Sequence, residues 1–140
     1  MIRTRTPNPE VQKMLDARIQ KITGVRGAVV LTEDGLALYW SLYDEATAER
    51  RAAVSSSLGT LALAVAIDEE AGHVRRTLIE MEDGYFIIAR CGLLSFLAVS
   101  TRADADLSVV GYELAELTRQ LGDVLDAGDR RAAGPGGAPT

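Results

Sequence analysis

The chain is poor in the residue types on which most enzyme chemistry depends. It has one histidine, His73, and one cysteine, Cys91. A zinc site of usual composition needs several His and Cys residues at short spacing, so this inventory excludes one. A Cys–His nucleophile pair is arithmetically available, but His73 falls at a helix-to-strand junction and Cys91 at a strand end, which gives them no reason to meet. A lone thiol also excludes an intramolecular disulfide and suits a reducing cytoplasm. Neither Gly-x-x-x-x-Gly-Lys-Ser/Thr nor Gly-x-Gly-x-x-Gly occurs, so there is no phosphate-cradling loop, and no cofactor is expected. Asp104-Ala105-Asp106 begins like a calcium loop, yet no Gly or Glu follows at the required spacing; helix capping accounts for the pair, and no metal is expected. The net charge is −5, with acids and bases alternating along the chain, so nucleic acid is not an expected partner. The segment Met1-Ile2-Arg3-Thr4-Arg5-Thr6 lacks the apolar core of a signal peptide, and a cytoplasmic location is expected. Aromatic residues make up only 5% of the chain. Trp40, Tyr39 and Phe86 are therefore the few candidates for lining a small-molecule pocket.

What the chain has in quantity is aliphatic surface. Hydrophobic residues are 47% and charged residues 25% of the total, an ordinary balance for one compact domain with one core. The densest stretch, Leu58 to Ile67, reads Leu-Gly-Thr-Leu-Ala-Leu-Ala-Val-Ala-Ile. As a helix it is apolar on nearly every side, whereas a helix covering one layer of a small domain shows a single stripe. Ten residues are too few to span a bilayer, which takes about 20, so membrane insertion is not expected. The reading that remains is a contact helix, covered on one side by its own domain and on the other by a partner.

The surrounding pattern defines the elements. Asn8-Pro9-Glu10 opens a first helix, with Asn8 as N-cap and Pro9 at the first helical position, and Gly24 marks its end. Val25 to Thr32 and Leu36 to Leu42 form a hairpin about Glu33-Asp34-Gly35, with glycine at the left-handed position. Strict alternation in its second arm predicts Leu36, Leu38, Trp40 and Leu42 on one face and Ala37, Tyr39 and Ser41 on the other. Asp44 opens the long helix, which runs to about Glu70. Val74 to Met81, Tyr85 to Cys91 and Leu93 to Val99 follow as a meander turning at Glu82-Asp83-Gly84 and at Gly92, with both Glu-Asp-Gly triplets read as turns of the same chemistry. Asp104 or Asp106 caps a last helix striped by Leu107, Val110, Leu114, Leu117, Leu121 and Leu125. Residues 1–8 form a tail, 9–126 the domain, and 127–140, ending Gly-Pro-Gly-Gly-Ala-Pro-Thr, a tail expected to be disordered. The predicted fold is α+β, αββαβββα, with a five-stranded antiparallel sheet between helical layers.

Three arginine pairs stand out: Arg50-Arg51 on the long helix, Arg75-Arg76 on the third strand and Arg130-Arg131 in the tail. An arginine offered in trans to a phosphoryl-transfer site accelerates it by orders of magnitude, which makes Arg50 and Arg51 candidates for facing a nucleotide-binding partner. Arg75 and Arg76 on an edge strand also discourage uncontrolled strand pairing.

The order and spacing of Gly24-Val-Arg-Gly-Ala-Val-Val-Leu-Thr-Glu-Asp-Gly35, Thr47-Ala-Glu-Arg-Arg-Ala-Ala-Val54, Val74-Arg-Arg-Thr-Leu-Ile-Glu-Met81 and Asp104-Ala-Asp-Leu-Ser-Val-Val-Gly-Tyr-Glu113 resemble the Roadblock family. Within it they are most similar to the bacterial MglB-like proteins encoded in actinobacterial conservon operons. The resemblance covers about residues 9 to 126. It implies a homodimer in which the long helix and third strand meet their symmetry mates and the two sheets become one. It also implies a non-catalytic partner of a small Ras-like GTPase in a bacterial signalling system. Leu58, Leu61 and Val65 would then form the helix seam, with Thr77 and Ile79 near the strand pairing and Arg50 and Arg51 facing the GTPase. The alternatives are a small-molecule sensor, or a self-associating scaffold with no GTPase.

Overall fold

A computed structural model describes residues 7–133, with side chains as far as residue 128. The expected tail residues 1–6 and 134–140 and the side chains of Arg130 and Arg131 lie outside that description. The elements are α1 (Pro9–Lys21), β1 (Val25–Thr32), β2 (Ala37–Ser41), α2 (Glu45–Glu69), β3 (Thr77–Met81), β4 (Gly84–Arg90), β5 (Ser95–Arg102) and α3 (Leu107–Ala133). The strands form one antiparallel sheet in the order β2-β1-β5-β4-β3, so β2 and β3 are its edges. This is the predicted αββαβββα arrangement, with α1 and α3 on one face and α2 on the other.

Local chemistry accounts for the element ends. Asn8 accepts a hydrogen bond from the Glu10 N–H with Pro9 next in line, so α1 begins where its orphan donors find a partner. Asp44 caps α2 by accepting from the Thr47 N–H at 2.7 Å. At α3 the cap is Asp106, whose carboxylate takes the Ser108 and Val109 N–H groups, while Asp104 instead meets Arg102 at 3.1 Å. In the β1–β2 turn Gly35 has φ +96°, a conformation in which a Cβ would be strained.

The structure corrects five expectations. The register of β1 on β2 shifts between Val30 and Leu31, because Leu38 bulges out of the ladder. The bulge cancels the strict alternation: Leu38 joins Tyr39 on the α1/α3 side, while Ala37 and Trp40 pack toward α2. Leu42 leaves the strand altogether, at φ +65°. The second Glu-Asp-Gly is not a copy of the first. Gly84 pairs with Met81 inside the ladder, and it is required because a Cβ there would lie 2.3 Å from the Thr101 carbonyl oxygen. Arg75 and Arg76 precede β3, which starts only at Thr77. Finally, α3 runs through the point where the ordered domain was expected to stop and reaches Ala133.

The α1/α3 face carries the larger core. Val11, Leu15 and Ile19 of α1 and Val110, Leu114, Leu117, Leu121 and Leu125 of α3 close on Ala28, Val30, Ile87, Leu97 and Val99 of the sheet. Burying such side chains is worth about 1.5–3 kcal/mol each against exposure. The α2 face is thinner. Here Val29, Leu31, Phe86, Ile88, Phe96 and Ala98 are met by Ala48 and Ala52, and the helix comes down on the sheet through Ser55 and Gly59. A Cβ at Gly59 would sit 2.7 Å from the Phe96 ring, so glycine is what lets the helix and that ring approach.

A candidate interaction site on helix α2 and the β3 edge

The inward face of α2 is made of small residues, and its large ones are elsewhere. Ala48, Ala52, Ser55 and Gly59 are its buried positions, spaced four, three and four apart along one stripe. Val54, Leu61, Leu63, Val65 and Ile67 are exposed, Leu61 to 64%, Val65 to 62% and Ile67 to 69%. No residue from Thr60 to Glu69 is buried. The helix is long and apolar enough, by length and composition alone, to cross a membrane. However, its first half is fastened to the sheet, and Glu45, Glu49, Arg50, Arg51, Asp68 and Glu69 stud both ends. Apolar surface of this extent on a folded domain is a feature of protein, membrane or ligand contact surfaces.

The residues expected at the seam divide into two groups. Leu61 and Val65 point away from the domain. Leu58 and Ile79, by contrast, are half-buried against their own core, with Phe86 and Phe96 among its members, and Thr77 is also half-buried. Beside this surface lies β3, whose second edge carries no strand. Leu78 and Met81 on it are exposed.

Between α2 and the sheet opens a cleft of about 830 Å³, lined by Val54, Leu58, Ile79, Met81 and Phe86 together with Arg26, Arg51, Glu82 and Asp83. Tyr43 forms part of its lining. Its ring rests on Gly27, where a Cβ would fall 2.2 Å away, and its hydroxyl shares a 2.6 Å hydrogen bond with the Ser100 Oγ. The Arg51 guanidinium sits 5.8 Å from the centroid of that ring, a cation–π distance that steers the charge toward the cleft. Arg50 goes elsewhere: its Nη2 donates to the Thr47 Oγ1 at 3.3 Å on the exposed side of the helix. The two candidate arginines are therefore held in different places. Just upstream, hydrogen bonds from Thr47, its side chain first and then its backbone N–H, hold the Asp44 carboxyl below its ordinary pKa.

Of the aromatic candidates only Phe86 reaches the cleft. Tyr39 is buried on the opposite face, where its hydroxyl accepts from the Asn8 N–H at 2.9 Å, and Trp40 packs among the sheet residues near Ala37. Tyr43, which alternation did not single out, takes the place expected of them. The signal for it is Gly27, the bare backbone on which a ring can lie. His73 and Cys91 are not brought together. His73 lies beside Gly59 and Leu63 on the α2 side, whereas Cys91 is fully buried in the α1/α3 core. Among the described residues no cluster of three or more His, Cys, Asp or Glu is arranged to hold a metal ion.

Comparison with known proteins agrees with this geometry. A Roadblock/LC7 domain from Streptomyces avermitilis matches at 28% identity and TM-score 0.78, over 81% of this chain and 96% of its own. The gliding protein MglB from Thermus thermophilus matches at 13% identity and TM-score 0.77, over 87% of this chain and 93% of its own. An MglB solved in a tetrameric arrangement matches at 14% identity and TM-score 0.78, over 88% of this chain and 93% of its own. At those identities the two MglB likenesses establish the fold alone. No curated protein sequence matches the chain. The family model of the Roadblock/LC7 domain matches residues 11–101, which run from the first turn of α1 to the end of β5 and take in α2, its cleft and the β3 edge, and the chain belongs to that family.

Proposed function

We propose that this chain is a non-catalytic homodimer that binds a small Ras-like GTPase and regulates or scaffolds it in a bacterial cytoplasmic signalling system. The observation that carries the reading is the inverted helix α2, with small residues against its own sheet and Leu61, Val65 and Ile67 in solvent. A second copy covering this stripe removes it from water, and an isologous contact of the usual scale buries about 800 Å² per subunit. The free edge of β3 lies beside the stripe, so one partner can close both. A tetrameric arrangement in a solved MglB supports self-association as a habit of this fold.

The GTPase belongs to the other part of the same face. Arg51 points toward the cleft and Arg50 lies outside it near the α2 N-terminus, so two cations are offered where a nucleotide-binding partner would dock. An arginine supplied in trans stabilises charge in a phosphoryl-transfer transition state. Affinity capture with the tagged full chain tests the proposal, run in parallel with GDP and with a non-hydrolysable GTP analogue. Recovery of a small GTPase in one nucleotide lane supports it, and recovery of the chain alone in both lanes overturns the GTPase part. The small-molecule reading has one observation in its favour, the cleft of about 830 Å³. That cleft is bordered by exposed Val54 and Met81, which a protein partner would cover.

A further inference from the structure

A second surface lies on the other side of the sheet, between α3 and the segment that leads into β3. It is a groove of about 490 Å³, which Arg75 and Arg76 line from that segment and Ser108, Tyr112 and Thr118 line from α3. Leu107 and Leu114 add apolar lining, and among the described residues no carboxylate lines it. The acids on the adjoining turns of α3 are already engaged, Glu113 by Arg18 and Glu116 by Arg119. Arg75 and Arg76 are both exposed, and among the described residues neither forms an ion pair or a side-chain hydrogen bond.

Arg76 is nevertheless seated. Its Nη1 lies over Gly111 in the second turn of α3, 2.2 Å from where a Cβ would stand, so any other residue there displaces the guanidinium. Glycine inside a helix costs about 1 kcal/mol against alanine. Here it makes room for a cation with no partner among the described residues. No phosphate cradle accompanies the arginines: the Ser108 and Val109 N–H groups, which a helix start would offer an anion, are taken by the Asp106 carboxylate. An anionic lipid surface calls for a cluster of about 4–8 cations, and this chain of net charge −5 presents two. A protein contact suits the surroundings better. Tyr112 is 67% exposed and Val109 50%, and Tyr112 is the one exposed tyrosine of the chain's four. Tyrosine and arginine concentrate at the energetic centres of protein interfaces.

We infer that this groove is a docking site for an acidic, amphipathic segment of another protein, whose carboxylates pair with Arg75 and Arg76 and whose apolar side chain rests against Leu107, Leu114 and the Tyr112 ring. The planar guanidinium meets a carboxylate through two parallel hydrogen bonds, which is why arginine suits such a site. The groove lies on the α3 face of the sheet, away from α2, so it can be filled while the α2 stripe is covered. The chain would then join two partners. The inference stands on the groove alone and rests neither on a GTPase nor on self-association.

The test uses the full chain and a random peptide library displayed on phage, depleted first on the Arg75→Glu/Arg76→Glu double variant to remove peptides held by α2 or elsewhere. Peptides then retained by the unaltered chain are expected to combine Asp or Glu with Leu or aromatic residues. The most enriched of them, synthesised with a fluorescein label, is the probe for anisotropy titrations. The double variant is expected to bind it at least about thirtyfold more weakly, since two charge-assisted pairs are lost. Gly111→Ala keeps both charges and pushes the Arg76 guanidinium off its seat, so it is expected to weaken binding about threefold to tenfold while thermal stability holds or rises. Unchanged binding there would remove Arg76 from the site, and circular dichroism confirms the fold of each variant. The proposal is overturned if no acidic peptide survives depletion, or if the probe remade with Asn and Gln in place of its acids binds equally well. It is also overturned if micromolar inorganic pyrophosphate displaces the probe, which makes this a phosphate site. Loss of self-association by the double variant in sedimentation equilibrium would give the groove to a second copy instead.

Discussion

Helices α2 and α3 are 25 and 27 residues long and lie on opposite faces of the same sheet, yet they place their large side chains in opposite directions. In α3, Val110, Leu114, Leu117, Leu121 and Leu125 are all buried in one stripe, and the pattern is finished within the chain. In α2 the stripe against the sheet is Ala48, Ala52, Ser55 and Gly59, and Val54, Leu61, Leu63, Val65 and Ile67 stand outside. Small residues inward bring the helix axis close to the sheet. Large residues outward leave a second apolar face that nothing among the described residues covers. The contrast separates two patterns that hydrophobicity alone does not distinguish: α3 buries its large side chains in its own core, and α2 leaves its own in solvent for the contact proposed above.

The contrast breaks most sharply with one substitution made in both helices. Leu117→Ala in α3 empties a fully buried site and is expected to cost about 2–5 kcal/mol of unfolding free energy in urea titration. Leu61→Ala in α2 is expected to leave the stability of the isolated subunit within about 0.5 kcal/mol. A charge on the outer stripe acts on association instead. Leu61→Glu is expected to weaken self-association at least about a hundredfold while circular dichroism stays unchanged, because a carboxylate would have to be desolvated twice across a two-fold seam. Gly59→Ala probes the inner stripe. The new methyl meets the Phe96 ring, and overpacking of this kind costs about 1–3 kcal/mol, against which alanine's better helix propensity returns about 1. The net expectation is a small loss of thermal stability.

The smallest effect concerns the α2 N-terminus. The folded-state pKa of Asp44 is held below its ordinary value, so its stabilising effect is present above the unfolded carboxylate pKa and fades as pH falls through the folded one. Asp44→Ala is expected to lower the melting temperature slightly at neutral pH and to lose that difference in acid. Equal differences at both pH values would remove the capping carboxylate from the account.

Much of this was legible in the residues themselves. Asn8-Pro9, Asp44 and the Leu114-Leu117-Leu121 stripe each state a local preference that the tertiary structure does not oppose. The apolar circumference of Leu58 to Ile67 announces more apolar surface than its own domain can cover, and no residue from Thr60 to Glu69 is buried. The misses share a cause. Glu82-Asp83-Gly84 looks like Glu33-Asp34-Gly35, but Gly84 answers to the Thr101 carbonyl on a neighbouring strand, which local sequence does not contain. The Leu38 bulge likewise puts Leu38 with Tyr39 on one face and Ala37 with Trp40 on the other, where alternation pairs Leu38 with Trp40. At the candidate site, the resemblance to the Roadblock family implies Leu61 and Val65 at a seam, and both are exposed. That Leu58 and Ile79 are partly occupied by their own core depends on how close Gly59 lets the helix come. Arg50 and Arg51 are adjacent in sequence and divide in space because only Arg51 finds the Tyr43 ring.

Sedimentation equilibrium of the full chain beside its Leu61→Glu variant, from submicromolar to high micromolar concentration, tests the difference between α2 and α3 most directly. The account predicts a dimer for the unaltered chain and a folded monomer for the variant. An unaltered chain that remains a monomer across that range, or a variant that remains a dimer, would contradict it.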